Sequence, residues 1–488
     1  MKKKKIGLLL TICMLSGLIG GCGGAPKSGS SARMANNEVQ TDSSREEKRE
    51  PLDKAILAYG SSYSSDGIWI YDMDGKKIAD RPDLTWEGYL SEGKFVFFEG
   101  DNYGVMSING DVIADPIYDR DSYRDEVGYL KGLIYQEGLA VIVENGKCGY
   151  MDEKGNIVIE PQFDRADRFS SGLARVKIGE KYGYIDPSGN IVIEAEYKYA
   201  GSFSNGLAQI EDSDGEWGII NTAGELVQGD GVSPVSPISY TFDFHDGLAL
   251  VEVDQHYGYI NEAGEMAIEP IFTEAYPFID GIARVQVYLE DRGSVYGYIN
   301  TEGEYVIEPQ FRNAQDFSDG LAYVSYSSLD DSLDKAYIDT SGNPVIEFDS
   351  DSVIDAFPFS DGMALVRETT AYYIDKQGNK AVDLAALETG FGYYQGEYTG
   401  GYAVLMLDDG KCKLIDKEGN FVFDGDFTTI YDDYIESDGI VILYMEDGNK
   451  GVARLDGSWV VEPGDYEEIC IVNAENDYET NALEGVLH

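Results

Sequence analysis

The chain has 488 residues, with 89 acidic against 37 basic side chains and a formal net charge of −52. That surplus of carboxylates repels phosphate and excludes a direct nucleic-acid binder. An apolar content of 43% and an aromatic content of 12% supply a large core and exclude a wholly disordered chain.

Lys2 to Lys5 precede an apolar stretch from Ile6 to Ile19. A basic start, a short apolar run and small residues after it make a secretory signal peptide over residues 1–21. The run is shorter than the roughly 20 apolar residues a membrane-spanning helix needs. It ends in Leu18-Ile19-Gly20-Gly21-Cys22, which resembles the bacterial lipobox. The resemblance implies cleavage before Cys22, a diacylglyceryl lipid on its sulfur, and a protein anchored on the outer face of the cell membrane. Residues 22–50 continue as a linker of Gly, Ser, Ala, Asn and balanced charges, without apolar periodicity. The acid excess therefore lies in the folded part. Beyond Cys22 the mature chain keeps Cys148, Cys412 and Cys470, too far apart for a disulfide framework or a CxxC metal site.

Residues 51–470 repeat one unit about eleven times. One copy reads Tyr182-Gly183-Tyr184-Ile185-Asp186, then a turn at Gly189, then Asn190-Ile191-Val192-Ile193-Glu194. Its central glycine returns as Gly149, Gly183, Gly218, Gly258 and Gly297, in steps of 34, 35, 40 and 39 residues. Between the copies runs a second motif, Phe169-Ser170-Ser171-Gly172-Leu173-Ala174-Arg175-Val176, which recurs from Phe203, Phe244, Phe278, Phe317 and Phe359. Each unit predicts three antiparallel strands, Leu173 to Ile178, Tyr182 to Asp186 and Asn190 to Glu194, joined by short polar turns. Glu-Pro pairs such as Glu160-Pro161 and Glu308-Pro309 are expected to stop the third strand, because proline cannot donate to a ladder. A three-stranded meander cannot bury a face alone, so neighbours must stack. The fold class is thus all-β, an open, curved, solenoid-like array; a propeller-like closed ring is the alternative. Insertions at Gly229 to Thr241 and Ser327 to Leu333 belong in loops, and residues 471–488 form a C-terminal tail.

These motifs resemble the bacterial WG-repeat family, with Trp217-Gly218 as its literal signature and Tyr-Gly in most other copies. The resemblance implies a secreted or envelope-associated interaction scaffold. Copies near residues 69, 413 and 451 have lost part of the aromatic-glycine pair, as terminal units do.

Catalytic chemistry is not expected. His245 and His256 replace serine and lysine of other copies, and His488 is terminal. The recurrent Asp152, Asp186, Asp339, Asp375 and Asp416 end strands before turns, where aspartate accepts local backbone hydrogen bonds. Calcium wants six to eight oxygens. Candidate cation ligands on turns are Asp212, Asp214, Asp349, Asp351, Asp408 and Asp409, none in an EF-hand pattern. The unit tyrosines belong between neighbouring units, whereas Trp86 and Tyr89 lie outside the motifs and are expected to be exposed. The reading is a membrane-anchored scaffold for a protein or envelope polymer, with basic partners favoured and no cofactor beyond the lipid. The alternative is a carbohydrate-binding or carbohydrate-cleaving envelope protein. A glycan reader exposes aromatics in a row; a protein scaffold exposes mixed residues.

Overall fold

A computed structural model describes residues 52–60, 67–119, 123, 132–229, 231–235, 242–326, 335–348, 353–387, 391–473 and 478–479. The unit around Tyr184 is a sheet of four strands in chain order: Arg165–Ser170, Leu173–Ile178, Lys181–Ile185 and Ile191–Tyr197. The last three are the strands expected from the sequence. The first is an addition: the Phe-x-x-Gly motif is the end of a leading strand as well as a turn. Ser171 and Gly172 make that turn with φ of 56° and 76°. Two left-handed residues twist the hairpin with the strands, so a glycine in one place lowers the strain. At the next-but-one turn the Asp186 carboxylate accepts the N–H groups of Ser188 and Asn190, each at 2.9 Å.

The third strand does not stop at its proline. Ile157–Phe163 runs through Pro161 as the edge of its sheet, and a register shift falls between Tyr150↔Ile159 and Met151↔Ile157. An edge position asks no N–H of proline, and a bulge bends the strand. The bend also explains the glycine of the aromatic-glycine pair. A Cβ on Gly183 would lie 2.6 Å from the Ile193 carbonyl oxygen and 2.7 Å from the Ala195 nitrogen. Gly149, Gly258 and Gly297 meet the same backbone crossing.

Both faces of a sheet are buried, each against a different neighbour. Ala174, Val176 and Ile185 pack on Tyr150, Ile159 and Phe163 of the preceding unit. Tyr184, Ile193 and Tyr197 pack on Ala200, Phe203, Ala208 and Ile220 of the following one. The buried tyrosine also clamps the next unit. Tyr184 donates its hydroxyl to the Gly201 carbonyl at 2.7 Å, and its ring lies 4.7 Å from that of Phe203. Tyr150, Tyr259 and Tyr298 repeat this with Asp167, Tyr276 and Gln315 carbonyls and with Phe169, Phe278 and Phe317 rings. The motif tyrosines are core residues, as the repeat positions imply.

The strands form nine separate sheets, with no barrel closed among the described residues, so the molecule is an all-β array of stacked repeats. Its two ends are brought together. Glu468–Asn473 pairs with Lys54–Gly60 in the register Lys54↔Asn473 to Tyr59↔Glu468. It fills in the first unit the place that Arg165–Ser170 fills in its own. Ile56, Ala58 and Tyr71 share a core with Ile440, Val452, Val461 and Ile469. The Gly75 turn lies over Val460 of the last unit, as the Gly189 turn lies over Ile159 and the Gly303 turn over Ile268. Unit-to-unit stacking thus continues from the last unit to the first, the feature that marks the ring-like alternative. The strand Glu468–Asn473 crosses residue 470, and Tyr478–Glu479 pairs with Thr85–Ser91.

Of the insertions, Val232–Pro234 is a short strand beside Leu248–Val253, not a loop. Ser327 to Leu333 lie outside the described residues.

Candidate functional site

The carboxylates separate into two classes by what they touch. The first class is occupied by backbone. Asp152, Asp186, Asp339, Asp375 and Asp416 each accept the N–H groups two and four residues on. Hydrogen bonds from the paired asparagine, then from these amides, hold the carboxyls of Asp152, Asp186 and Asp339 below the usual aspartate range. Glu137, Asp246, Asp319 and Asp361 reach across units to the N–H groups of Gly172, Gly281, Gly362 and Gly401. These acids build turns and tie neighbours.

The candidate cation ligands fall into the same pattern where they are described. Asp212 accepts the amides of Asp214, Gly215 and Glu216 at 2.8, 2.9 and 3.0 Å, and these bonds, Glu216 first, lower its pKa. Asp409 accepts the Lys411 amide at 3.1 Å, while the Lys411 ammonium bridges Asp426 and Glu446 at 3.1 and 2.9 Å. Asp214 and Asp408 are exposed. Asp349 and Asp351 lie outside the described residues, as does Cys22. Among the described residues no three His, Cys, Asp or Glu side chains converge as a metal site. His245 lies 3.2 Å from Asp243, and His256 meets the Asp254 carbonyl at 3.1 Å, each on its own turn. Cys148, Cys412 and Cys470 are buried thiols, and burial raises the pKa of the latter two.

The second class is free. Glu160, Glu194, Glu269, Glu308 and Glu347 occupy one register position on the third strands of five units, all exposed. Their carboxylates make no ion pair or hydrogen bond among the described residues. Two residues earlier stand Val158, Val192, Ala267, Val306 and Val345, also exposed. Residues two apart on a strand share a face. Each of these units therefore shows solvent the same pair, a small aliphatic side chain and an unpaired acid. The Glu-Pro signal was present in the sequence, but reading it as a strand end hid the exposed face.

The aromatics are placed otherwise. Tyr182, Trp217, Tyr257 and Tyr296 of four consecutive units are half-buried. Trp217 lies 5.3 Å from the Tyr199 ring, and Tyr296 bonds Glu274 at 2.6 Å. Trp86 corrects the expectation from sequence: it is buried, edge-on to Tyr59 at 4.4 Å, in the core of the first two units. Tyr89 is half-buried beside it. A small cleft lies between Phe357, Met363, Tyr373 and Tyr398, with about 250 Å³ of space that includes open solvent.

Five segments, residues 149–182, 182–214, 257–288, 296–327 and 336–369, match the family described as WG containing repeat. These five segments are similar to the WG repeat, and the rest of the chain is unmatched. No curated protein matches the chain. Among solved structures, the crystal structure of a eukaryotic initiation factor is 10% identical and covers 69% of this chain and 98% of its own, at a TM-score of 0.36. BamB from Moraxella catarrhalis is 12% identical, with 66% and 95% covered and a TM-score of 0.26. Hsv2p from Kluyveromyces lactis is 10% identical, with 51% and 90% covered and a TM-score of 0.25. All three scores lie below the level of a shared fold. The WG match covers the units that carry the free acid row, with the unit between residues 214 and 257 unmatched.

Proposed function

We propose that this chain is a lipid-anchored scaffold on the outer face of a bacterial cell membrane, and that it binds a protein through the surface of its WG repeats. The observation that carries the binding half is the recurrence of an exposed aliphatic residue and an unpaired acid on the third strands of five units. Such sites are shallow and individually weak. On a preorganised array they add through effective concentration, so affinity comes from engaging several units at once. The exposed apolar residues of these five third strands are mostly Val and Ile, with Tyr305 the aromatic, while Tyr288 is exposed on the hairpin of its own unit. Aliphatic side chains favour a protein partner over a glycan, which stacks on aromatic faces. The anchoring half rests on the signal peptide and on Cys22 in its lipobox-like setting. The reading assigns the chain binding and no reaction.

The two halves are tested separately. Cys22→Ser is expected to release the protein from the membrane fraction, and retention without lipid rejects the anchor. Affinity capture from a solubilised envelope, with calcium or with chelator, is expected to return one reproducible protein in both conditions. Glycan captured without protein rejects the protein-scaffold reading.

A further inference from the structure

We propose that the third-strand faces over residues 157–197 and 266–347 form a docking strip, interrupted at the unit of Leu226–Gln228, for a basic, amphipathic segment of a partner protein. The inference rests on the scaffold reading above and names its surface and the chemistry of its partner. Apolar exposure comes first. Val158, Val192, Val306 and Val345 are 39 to 47% exposed, at one position of a motif whose neighbours, such as Ile159 and Ile193, are buried. Valine suits a strand even when exposed, but Ile157, Ile191 and Tyr305 on its other side are exposed too, so these units show solvent an apolar patch rather than one side chain. The valines line up because the units stack at one register, each turn glycine over the third strand of the unit before it.

The mode of contact follows from the edge. Four of the five third strands are sheet edges, and Tyr305–Ala314 is one only as far as Gln310, since from Phe311 it pairs with Leu321–Tyr326; an edge invites strand addition by its free N–H and C=O groups. Pro161, Pro270 and Pro309 remove an N–H from three of them, and the bulges twist them away. A ladder cannot propagate along such an edge, so the partner is held by side chains.

Charge selects the occupant. A second copy of this chain would bring the same acids, on a body of net charge −52. An anionic polymer is repelled for the same reason. A segment with apolar side chains for the valines and lysine or arginine for Glu160, Glu194, Glu269, Glu308 and Glu347 satisfies both parts of the strip. Stacked sheets lie about 10 Å apart. The partner's basic residues then recur about every 10 Å, which is about three residues of extended chain or about seven of helix.

The test uses the full chain in detergent and, as probe, a synthetic peptide of repeated Leu-Leu-Lys, with its Ser-Ser-Lys counterpart. Binding is read by fluorescence anisotropy at physiological salt. The leucine peptide is expected to bind at least tenfold tighter than the serine one. Glu→Gln at the five strip positions is expected to weaken it at least tenfold. A charge-matched variant neutralises Glu144, Glu180, Asp214, Asp254 and Glu290, exposed acids on the hairpins joining first and second strands. It is expected to change binding less than twofold. Equal loss in both variants would show diffuse attraction to an acidic body and overturn the strip. So would equal binding of the two peptides, or no binding at all. Both variants replace exposed side chains, and thermal melting checks that each remains folded. Envelope capture by the strip variant separates this proposal from the scaffold reading. If that variant captures the same protein as the parent, the strip is wrong and the scaffold stands; if neither captures a protein, the scaffold reading falls as well.

Discussion

The interior repeats and the junction between the last unit and the first are joined by different means. Inside the array, the hydroxyls of Tyr150, Tyr184, Tyr259 and Tyr298 find the next unit's carbonyl and their rings lie on the next unit's aromatic, a series interrupted at Ile219. At the junction the tyrosine position holds Val452, and the clamp is gone. A ladder of six residue pairs between Lys54–Gly60 and Glu468–Asn473 takes its place. Around it gather one-off contacts: Lys54 to Asp438 at 2.7 Å, Arg454 to Asp74 at 3.7 Å, and the hydroxyls of Tyr71 and Tyr466 at 3.2 Å. The lesson is that stacking can be encoded by repetition, whereas joining two ends needs residues used once. Interior stacking contacts resist salt because they are apolar. The junction depends on polar and titratable groups.

The largest expected effect breaks the comparison at the junction. Truncation before Glu468 strips the fourth strand from the first unit and removes the buried Ile469, Ile471 and Val472, each worth about 1.5–3 kcal/mol. Hydrogen exchange is expected to show residues 54–60 and 67–71 losing protection while the repeats from 149 to 348 keep theirs. Simultaneous loss in both would mean that the array is one cooperative unit and that the distinction drawn here fails.

Next in size is the interior backbone crossing. Gly183→Ala sets a methyl 2.6 Å from a carbonyl oxygen that belongs to the backbone and cannot swing aside. A cost of about 2–3 kcal/mol is expected in urea unfolding. Gly172→Ala, where a Cβ meets nothing within 4 Å, is the control and bears only the strain of its φ of 76°. Equal costs at the two sites would reject the crossing as the reason for the repeated glycine. Smaller again is Tyr184→Phe, which keeps the ring stack but leaves the Gly201 carbonyl without its partner. About 1–2 kcal/mol is expected, and no change would reduce the clamp to ring packing.

How much of this was legible follows from the same contrast. The unit, its last three strands, the turn aspartates and the buried tyrosines were readable because each copy restates them. The leading strand was not. Arg165–Ser170 has Arg, Ala, Asp, Arg, Phe and Ser, no clean alternation, because its side chains answer two units at once. Burial on both faces likewise hides a strand from a period-two reading. The meeting of the ends was illegible because Glu468–Asn473 is a copy of neither motif. Trp86 was misplaced since it, too, belongs to a non-repeated core. Three of the five acids of the free row were visible as Glu-Pro, but exposure and lack of a partner are properties of the stack.

One effect ties the junction to pH: it vanishes in acid and grows as pH rises. Burial pushes the Glu468 carboxyl up to about 7 and that of Asp432, first by burial and then by Asp433, to about 6. Between the unfolded carboxylate value and these raised values the folded chain holds protons that the unfolded chain has released. Stability therefore falls as pH rises through roughly 4.5 to 7. The turn aspartates have the opposite sign: their lowered values add stability that is present above the unfolded aspartate pKa and lost as pH falls through the folded one. Interior repeats are thus weakened by acid and the junction by base. Glu468→Gln removes the ionisable group, so the variant is expected to match the parent near pH 4.5 and to exceed it by up to about 3 kcal/mol at pH 8. Exchange protection of residues 468–473, corrected for intrinsic rates, reads the difference. A parent whose junction is equally protected from about pH 5 to 8 would show that the charge on Glu468 is solvated in the folded chain, and the junction would then differ from the interior in geometry alone.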